Sequence, residues 1–141
     1  MHPDQIFRKE YLATTYHAAG LAIRFSKQPT GQVLFDGRRF ALISAQNPRS
    51  TPLEPDENLA RNEILKTVFW SKGWEYADSH GSNADLSWVE AGFVVWDVAL
   101  EEIIKVARDF EQNAVMYGQG EKIALCWCFL EETEWFFPEV T

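Results

Sequence analysis

The chain has 141 residues, with 13 Lys or Arg against 21 Asp or Glu and a formal net charge of −8. Hydrophobic residues make up 46% and aromatic residues 14%, a composition typical of a globular domain rather than a disordered chain. The acidic balance argues against a broad electrostatic contact with nucleic acid or an anionic membrane. No apolar run approaches the ~20 residues that span a bilayer, and the N-terminus lacks the apolar region of a signal peptide. We therefore expect one cytoplasmic domain over residues 1–141.

The first third of the chain has weaker patterns than the rest. Residues 3–13 predict a short helix, and residues 14–25 have the composition of a strand with a bulge at Gly20. SKQPTG at 26–31 is typical of a turn. We expect N-terminal strand additions here, and the placement of residues 14–36 relative to the sheet stays open.

A strand followed by a helix is predicted after Phe40. The continuous apolar run at residues 40–43 favours a strand over 40–44 that is covered on both faces. Pro55 suits a first helical position, and the acidic residues that follow it favour a helix N-terminus. Gly73 is expected to end this helix, whose apolar stripe is Ile64, Leu65, Val68 and Phe69.

The second half of the chain alternates clearer elements. We predict a strand at 74–78, a polar loop at 79–85, a strand at 88–96, a helix at 100–110, and a hairpin of strands at 113–117 and 122–130. The order from Phe40 is β-α-β-β-α-β plus a further strand, as in the ferredoxin-like split βαβ fold. The predicted class is therefore α+β, with two helices on one face of an antiparallel sheet and a C-terminal hairpin strand. The core spans about residues 40–130, and 131–141 form an acidic, aromatic tail.

In that topology, polar residues near the ends of the elements meet at one end of the sheet. They are Ser44, Gln46, Asn47, Arg49, Ser50, Asn58, Arg61, Asn62, His80, Ser82, Glu90, Gln112 and Asn113. Asn58, Arg61 and Asn62 share one side of the helix because they are three and four residues apart. The helix N-terminus and two arginines suit a carboxylate or phosphate. We predict a ligand-binding site, called the rim below, made of Gln46, Asn47, Arg49, Ser50, Asn58, Arg61, Gln112 and Asn113.

The same residues also allow a purely structural interpretation, in which they hold the loop and helices in place and bind no ligand. Asn47 is an ordinary turn residue. Arg61 would pair with Glu57 or Glu90 and hold the helix against the sheet. Gln112 and Asn113 would satisfy the last carbonyl groups of the second helix. The sequence does not separate a binding rim from structural bracing.

Catalytic and metal-binding signals are sparse. His80 and Glu90 are the candidate acid–base pair at the rim, because His titrates near neutral pH. No serine lies in a nucleophile motif, and there is no glycine-rich phosphate loop. Cys126 and Cys128 form a single C-x-C, which favours two buried, reduced thiols over a metal site. We predict no metal and no cofactor, and the sequence favours binding over catalysis.

Three functions are weighed. The first is a ligand-binding domain whose rim recognises an anionic or amide-bearing small molecule or a peptide end. The second is a protein-interaction module that binds a basic partner through its acidic surface or through the tail at 131–141. The third is a hydrolase or transferase that uses His80 and Glu90. The oligomeric state is left open.

Several segments carry a resemblance to a known family. They are ISAQNPRSTPLEPDENLARNEIL at 43–65, the Glu90-x-Gly92-Phe93 strand, FEQNAVMYG at 110–118 and YLATTYHA at 11–18. Over roughly residues 11–128, the chain resembles an uncharacterised bacterial family, domain of unknown function 3293. Its most specific motifs, N-P-x-S with E-N-x-x-R and F-x-Q-N-A, contain residues of the rim. Gln46 and Glu54 depart from the family pattern, which has an aromatic residue or His and a capping Ser there. The resemblance implies no particular activity.

Overall fold

The computed structural model describes residues 2–141, so Met1 lies outside the described part of the predicted domain. Within residues 2–141 it contains eight strands and three α-helices. The strands are β1 (Thr15–Ala18), β2 (Leu21–Ser26), β3 (Phe40–Ile43), β4 (Glu75–Ser82), β5 (Val89–Trp96), β6 (Ala114–Gln119), β7 (Lys122–Trp127) and β8 (Glu132–Val140). The helices are α1 (Arg8–Ala13), α2 (Pro55–Lys72) and α3 (Leu100–Asp109), and short 3₁₀ turns lie at Pro3–Gln5, Phe35–Gly37 and Pro48–Ser50.

The eight strands form a closed antiparallel barrel in the order β1-β2-β8-β7-β6-β3-β5-β4. The ring closes because β1 pairs with β4, with Tyr16 opposite Gly81. The ferredoxin-like open sheet predicted from the element order is therefore wrong. The order of strands and helices from Phe40 to β7 was predicted correctly, but β1, β2 and β8 complete a ring instead of extending an edge.

Two segments account for this correction. Residues 14–25, predicted as one strand with a bulge, form the β1–β2 hairpin, whose turn residues Ala19 and Gly20 have φ values of 48° and 83°. Two consecutive positive φ angles are the signature of a tight hairpin turn. Residues 131–141, predicted as a tail, contain β8, which pairs with both β7 and β2.

Alternate residues of the strands face the barrel interior and the helices. In β3, Phe40 and Leu42 belong to the interior cluster, whereas Ala41 and Ile43 pack with the helices. This explains the continuous apolar run, because both faces of β3 are covered. Cys126 and Cys128 lie on the helix-facing side, where both are buried and free.

Helices α2 and α3 cover the outside of the barrel. Leu65 and Phe69 of α2 pack in the same outer cluster as Ile103 and Ala107 of α3. The predicted end of the first helix is confirmed, because Gly73 caps α2 with a φ of 68°. Glu54 precedes Pro55 without a side-chain capping hydrogen bond.

The two ends of the barrel differ. At one end, called the closed end below, Phe35, Phe40 and Trp96 pack together, with ring centroids 4.8 Å apart for Phe35–Phe40 and 5.5 Å for Phe35–Trp96. A Cβ at Gly118 would lie 2.0 Å from Phe40 Cε1, so the ring of Phe40 occupies the space that the glycine leaves. At the other end, called the mouth below, Ser44, Glu90 and Gln112 border the interior.

Short helix α1 lies at the mouth. Its Tyr11 and Leu12 pack against the interior cluster, and Arg8 forms an ion pair with Glu134 of β8 at 2.7 Å. No helix within residues 2–141 combines the length and the apolar character needed to cross a membrane.

Candidate functional site

The loop after β3 is organised by two asparagines. The backbone N–H of Asn47 donates to Asn58 Oδ1 at 2.9 Å, and Asn58 Nδ2 donates back to Asn47 Oδ1 at 2.8 Å. The N–H of Leu53 also donates to Asn47 Oδ1, at 3.2 Å. Asn47 itself adopts a φ of 48°, a conformation that Asn tolerates better than most residues. The pair thereby fixes the loop against the start of α2.

Arg61 and Asn62 continue this bracing along α2. The Arg61 guanidinium donates to the carbonyls of Ala45 and Phe110. Asn62 Oδ1 accepts from the N–H of Ala45 at 2.9 Å, and Asn62 Nδ2 donates to the carbonyl of Ala91 at 3.1 Å. These side chains satisfy backbone groups from three segments, as a bracing role requires. The predicted pairing of Arg61 with Glu57 or Glu90 is wrong, because its guanidinium is held by backbone carbonyls instead.

Gln112, Gln46 and Asn113 connect the end of α3 to the same loop. Gln112 Nε2 donates to the carbonyl of Gln46 at 3.0 Å, and Gln46 Oε1 accepts from the N–H of Ala91 at 3.1 Å. Asn113 Nδ2 donates to Ser50 Oγ at 2.9 Å. The eight predicted rim residues are therefore brought to one end of the barrel, as the topology argument expected.

The two arginines do not form a joint anion clamp. Arg49 is exposed, pairs with Asp4 and places its guanidinium 4.3 Å from the ring centroid of Phe129. Arg61 is occupied by backbone carbonyls. Each guanidinium thus already has partners within the protein.

Beside this network, a cavity of about 70 Å³ opens in the mouth of the barrel. Its polar and aromatic lining includes Tyr11, Tyr16, Ser44, Trp88, Glu90 and Gln112, and Met116 and Leu125 are among its apolar lining. Two glycines lie next to it: Gly81 is opposite Glu90, and Gly92 is opposite Ser79. A Cβ at Gly92 would lie 2.5 Å from the carbonyl oxygen of Ile43, so this glycine allows the close approach of the Ile43 backbone. An eight-stranded barrel has an interior that side chains fill or that holds one small ligand.

Glu90 is the ionisable acid of this cavity. Its Oε2 accepts from Asn47 Nδ2 at 3.2 Å, and it forms no ion pair with any Lys or Arg among residues 2–141. The nearby Ser44 hydroxyl donates its proton to the carbonyl of Ala91 at 2.7 Å. Burial raises the pKa of Glu90 to about 7, and the hydrogen bond from Asn47 opposes that rise only in part.

The structure does not bring His80 and Glu90 together as an acid–base pair. His80 lies opposite Ala91 and next to Gly81, the partner of Glu90. Because neighbouring strand positions alternate faces, the His80 ring is on the outer face, where it stacks on His17 with centroids 4.4 Å apart. Ser82 is buried at the end of β4.

Sequence reasoning missed the aromatic part of the cavity. Tyr11 and Tyr16 lie in segments whose placement was open, and Trp88 was assigned only to a strand. The alternation Trp88, Glu90, Gly92 places these residues on one face, but that face becomes an interior only when the barrel closes. The buried thiols were predicted, and burial raises the pKa of Cys126 to about 11.

The described chain offers no preformed metal centre. Among residues 2–141, no group of three or more His, Cys, Asp or Glu side chains is arranged to hold a metal ion.

The comparisons with known proteins agree with the resemblance described above. No curated protein and no solved structure matches the chain. A family model described as "Protein of unknown function (DUF3293)" matches residues 43–115, more than half of the chain. This range contains the eight rim residues, Trp88 and Glu90. The chain therefore belongs to the DUF3293 family.

Proposed function

We propose that this chain is a small-molecule-binding protein whose ligand lies in the mouth cavity beside Glu90. The observation that carries this proposal is a carboxyl group without a cationic partner, facing a cavity inside a closed barrel. Glu90 is partly buried, and a partly buried acid without a cation reduces stability. A ligand that contacts it would offset that cost.

The rim residues have two roles in this proposal. Gln112 lines the cavity, and Asn47 holds the carboxyl of Glu90. Gln46, Asn58 and Arg61 position the loop and helix that carry these groups. Ser50 and Asn113 hold the hydroxyl of Tyr11 through Ser50 Oγ, and Arg49 fastens the N-terminal segment through Asp4.

The proposal is tested by filling the cavity. Ala114 lines it, so Ala114→Leu should exclude a ligand while adding apolar contacts. Ala60→Leu, at an exposed position of α2, is the matched control. Three probes of similar size, four or five non-hydrogen atoms, and different charge are suitable: propylammonium, propionamide and propionate.

Binding is read from the methyl signal of Met116, which lines the cavity. The chain has two methionines, and a Met116→Leu spectrum identifies the signal. We expect at least one probe to shift it saturably in the unmodified chain and in Ala60→Leu, but not in Ala114→Leu. No saturable shift with any probe would refute the proposal.

We further propose a cytoplasmic location. The support is that Cys126 and Cys128 are both free thiols, which persist most readily in a reducing compartment. The protein-interaction alternative stays a prediction, although the segment 131–141 on which it depended contributes β8 to the barrel.

A further inference from the structure

The charge around the mouth cavity is of one sign. Glu90 lines it, whereas none of its lining residues within 2–141 is Lys or Arg. Arg61 and Arg49, the cations of the rim, are held by backbone carbonyls and by Asp4. The anionic ligand predicted from the sequence would therefore meet a carboxyl group rather than a free guanidinium.

Aromatic rings form much of the remaining wall. Tyr11 and Tyr16 line the cavity from α1 and β1, and Trp88 lines it from the start of β5. The hydroxyl of Tyr16 donates to the carbonyl of Tyr11 at 3.0 Å, and the hydroxyl of Tyr11 lies 3.0 Å from Ser50 Oγ. Because both hydroxyls already have partners, the rings are what these residues offer to a ligand. Aromatic rings around a carboxylate are a favourable environment for an organic cation.

On the basis of the proposed function, we propose that the ligand carries a small organic ammonium group, which pairs with Glu90 and is enclosed by Tyr11, Tyr16 and Trp88. A water molecule needs about 10–15 Å³ of such space, so a cavity of about 70 Å³ has room for roughly four to six non-hydrogen atoms. That is the size of an alkylammonium or methylated ammonium group. Trp88 is 38% exposed, so the rest of a larger ligand would leave past it.

The ammonium group would displace the proton of Glu90. Besides Glu90, the titratable residues that line the cavity are Tyr11 from α1, Tyr16 from β1 and His80 from β4, whose ring stacks on His17 on the outer face. Burial raises the pKa of both tyrosines, so they stay neutral near neutral pH. The pKa of Glu90 is about 7, so ammonium affinity should rise about tenfold between pH 6 and pH 8.

The three probes separate this inference from the proposed function. Amines and simple carboxylic acids titrate well outside pH 6–8, so propylammonium and propionate keep their charges. A four-atom fragment binds at best at tens of micromolar and ordinarily far more weakly, so titrations extend to about 100 mM at constant ionic strength. We expect propylammonium to shift the Met116 methyl signal with the highest affinity, and propionate to have no effect.

Variants assign the effect to the named groups. Glu90→Gln should weaken propylammonium binding at least tenfold at pH 8 and remove its pH dependence. Trp88→Leu should weaken it about threefold or more. Glu121→Gln, at an exposed position in the β6–β7 turn, makes the same charge change away from the cavity and should leave binding unchanged.

Two other outcomes are decisive. If propionamide or propionate binds as well as propylammonium, or if Glu90→Gln binds it unchanged, the ammonium assignment is overturned while the cavity remains a binding site. If no probe shifts the signal, both the assignment and the proposed function fail.

Discussion

The mouth and the closed end of the barrel are built from the same strands, but one contains a cavity and the other is filled by aromatic side chains. At the closed end, the ring of Phe40 fills the space above Gly118 and packs on Phe35. At the mouth, Gly81 and Gly92 face the interior and a cavity remains beside Glu90. At both ends the space that a glycine leaves is occupied: by the ring of Phe40 at Gly118, and by the ring of Tyr16 and the backbone of Ile43 at Gly81 and Gly92. The ends differ in what fills the interior, because aromatic rings close one end and a cavity remains beside Glu90 at the other.

The two ends should differ most in the stability that is lost when an aromatic side chain is truncated to alanine. Phe40 is 2% exposed, so Phe40→Ala should lower the free energy of unfolding by about 4 kcal/mol. Trp88→Ala at the mouth should lower it by about 1 kcal/mol or less, because that ring is partly exposed. Urea unfolding followed by circular dichroism measures both. Equal losses would mean that the mouth is packed as tightly as the closed end.

A smaller loss is expected from the polar bracing of the mouth. Arg61→Leu removes the donors to the carbonyls of Ala45 and Phe110, which should cost about 2–3 kcal/mol of unfolding free energy. Arg24→Leu, at an exposed position of β2, is the control and should change stability by about 0.5 kcal/mol or less. A stable Arg61→Leu protein with lost probe binding would instead assign Arg61 to the ligand.

The smallest expected change in the free energy of unfolding is a gain rather than a loss, and it depends on pH. The pKa of Glu90 is raised from 4.5 to about 7 in the folded state, so ionising it there costs stability. That cost is absent below about pH 4.5, where both states are protonated, and is complete above about pH 7. At full burial the rise of the Glu90 pKa to about 7 corresponds to about 3 kcal/mol, and the partial exposure of the side chain reduces this. Glu90→Gln should therefore match the unmodified chain at pH 4 and be more stable by about 2 kcal/mol at pH 8. Identical stability curves across this range would show that the carboxyl is well solvated.

Local elements were predictable because their signals are local. Pro55 and Gly73 mark the ends of α2, and the apolar spacing from Leu100 marks α3. Closure of the ring was not predictable in this way, because the pairing of β1 with β4 joins residues such as Tyr16 and Gly81. The sequences of β1 and β4 contain no pattern that indicates which strand each will pair with. A strand at the edge of an open sheet and a strand within a closed ring also have the same alternation of apolar and polar residues.

For the candidate site, the position of the polar residues was predictable, but their contacts were not. Polar residues that end elements at one side of a sheet converge whether the sheet is open or closed, so Asn47, Asn58 and Gln112 do meet. Whether a side chain meets a ligand or a backbone carbonyl depends on distances of one or two ångströms, which spacing does not encode. Tyr16 lines the cavity only because the barrel closes, so its place in the site could not be predicted from the sequence.

The position of β8 in the ring has a consequence for the order of events in folding. It pairs with β2 through contacts such as Ile23 with Val140, so the ring cannot close until residues more than a hundred positions apart have met. Folds dominated by such non-local pairings cross their barrier slowly. Until β8 arrives, β7 and β2 present unpaired edges that other chains can join. During synthesis, the nascent chain therefore exposes two open edges until its C-terminal strand has emerged.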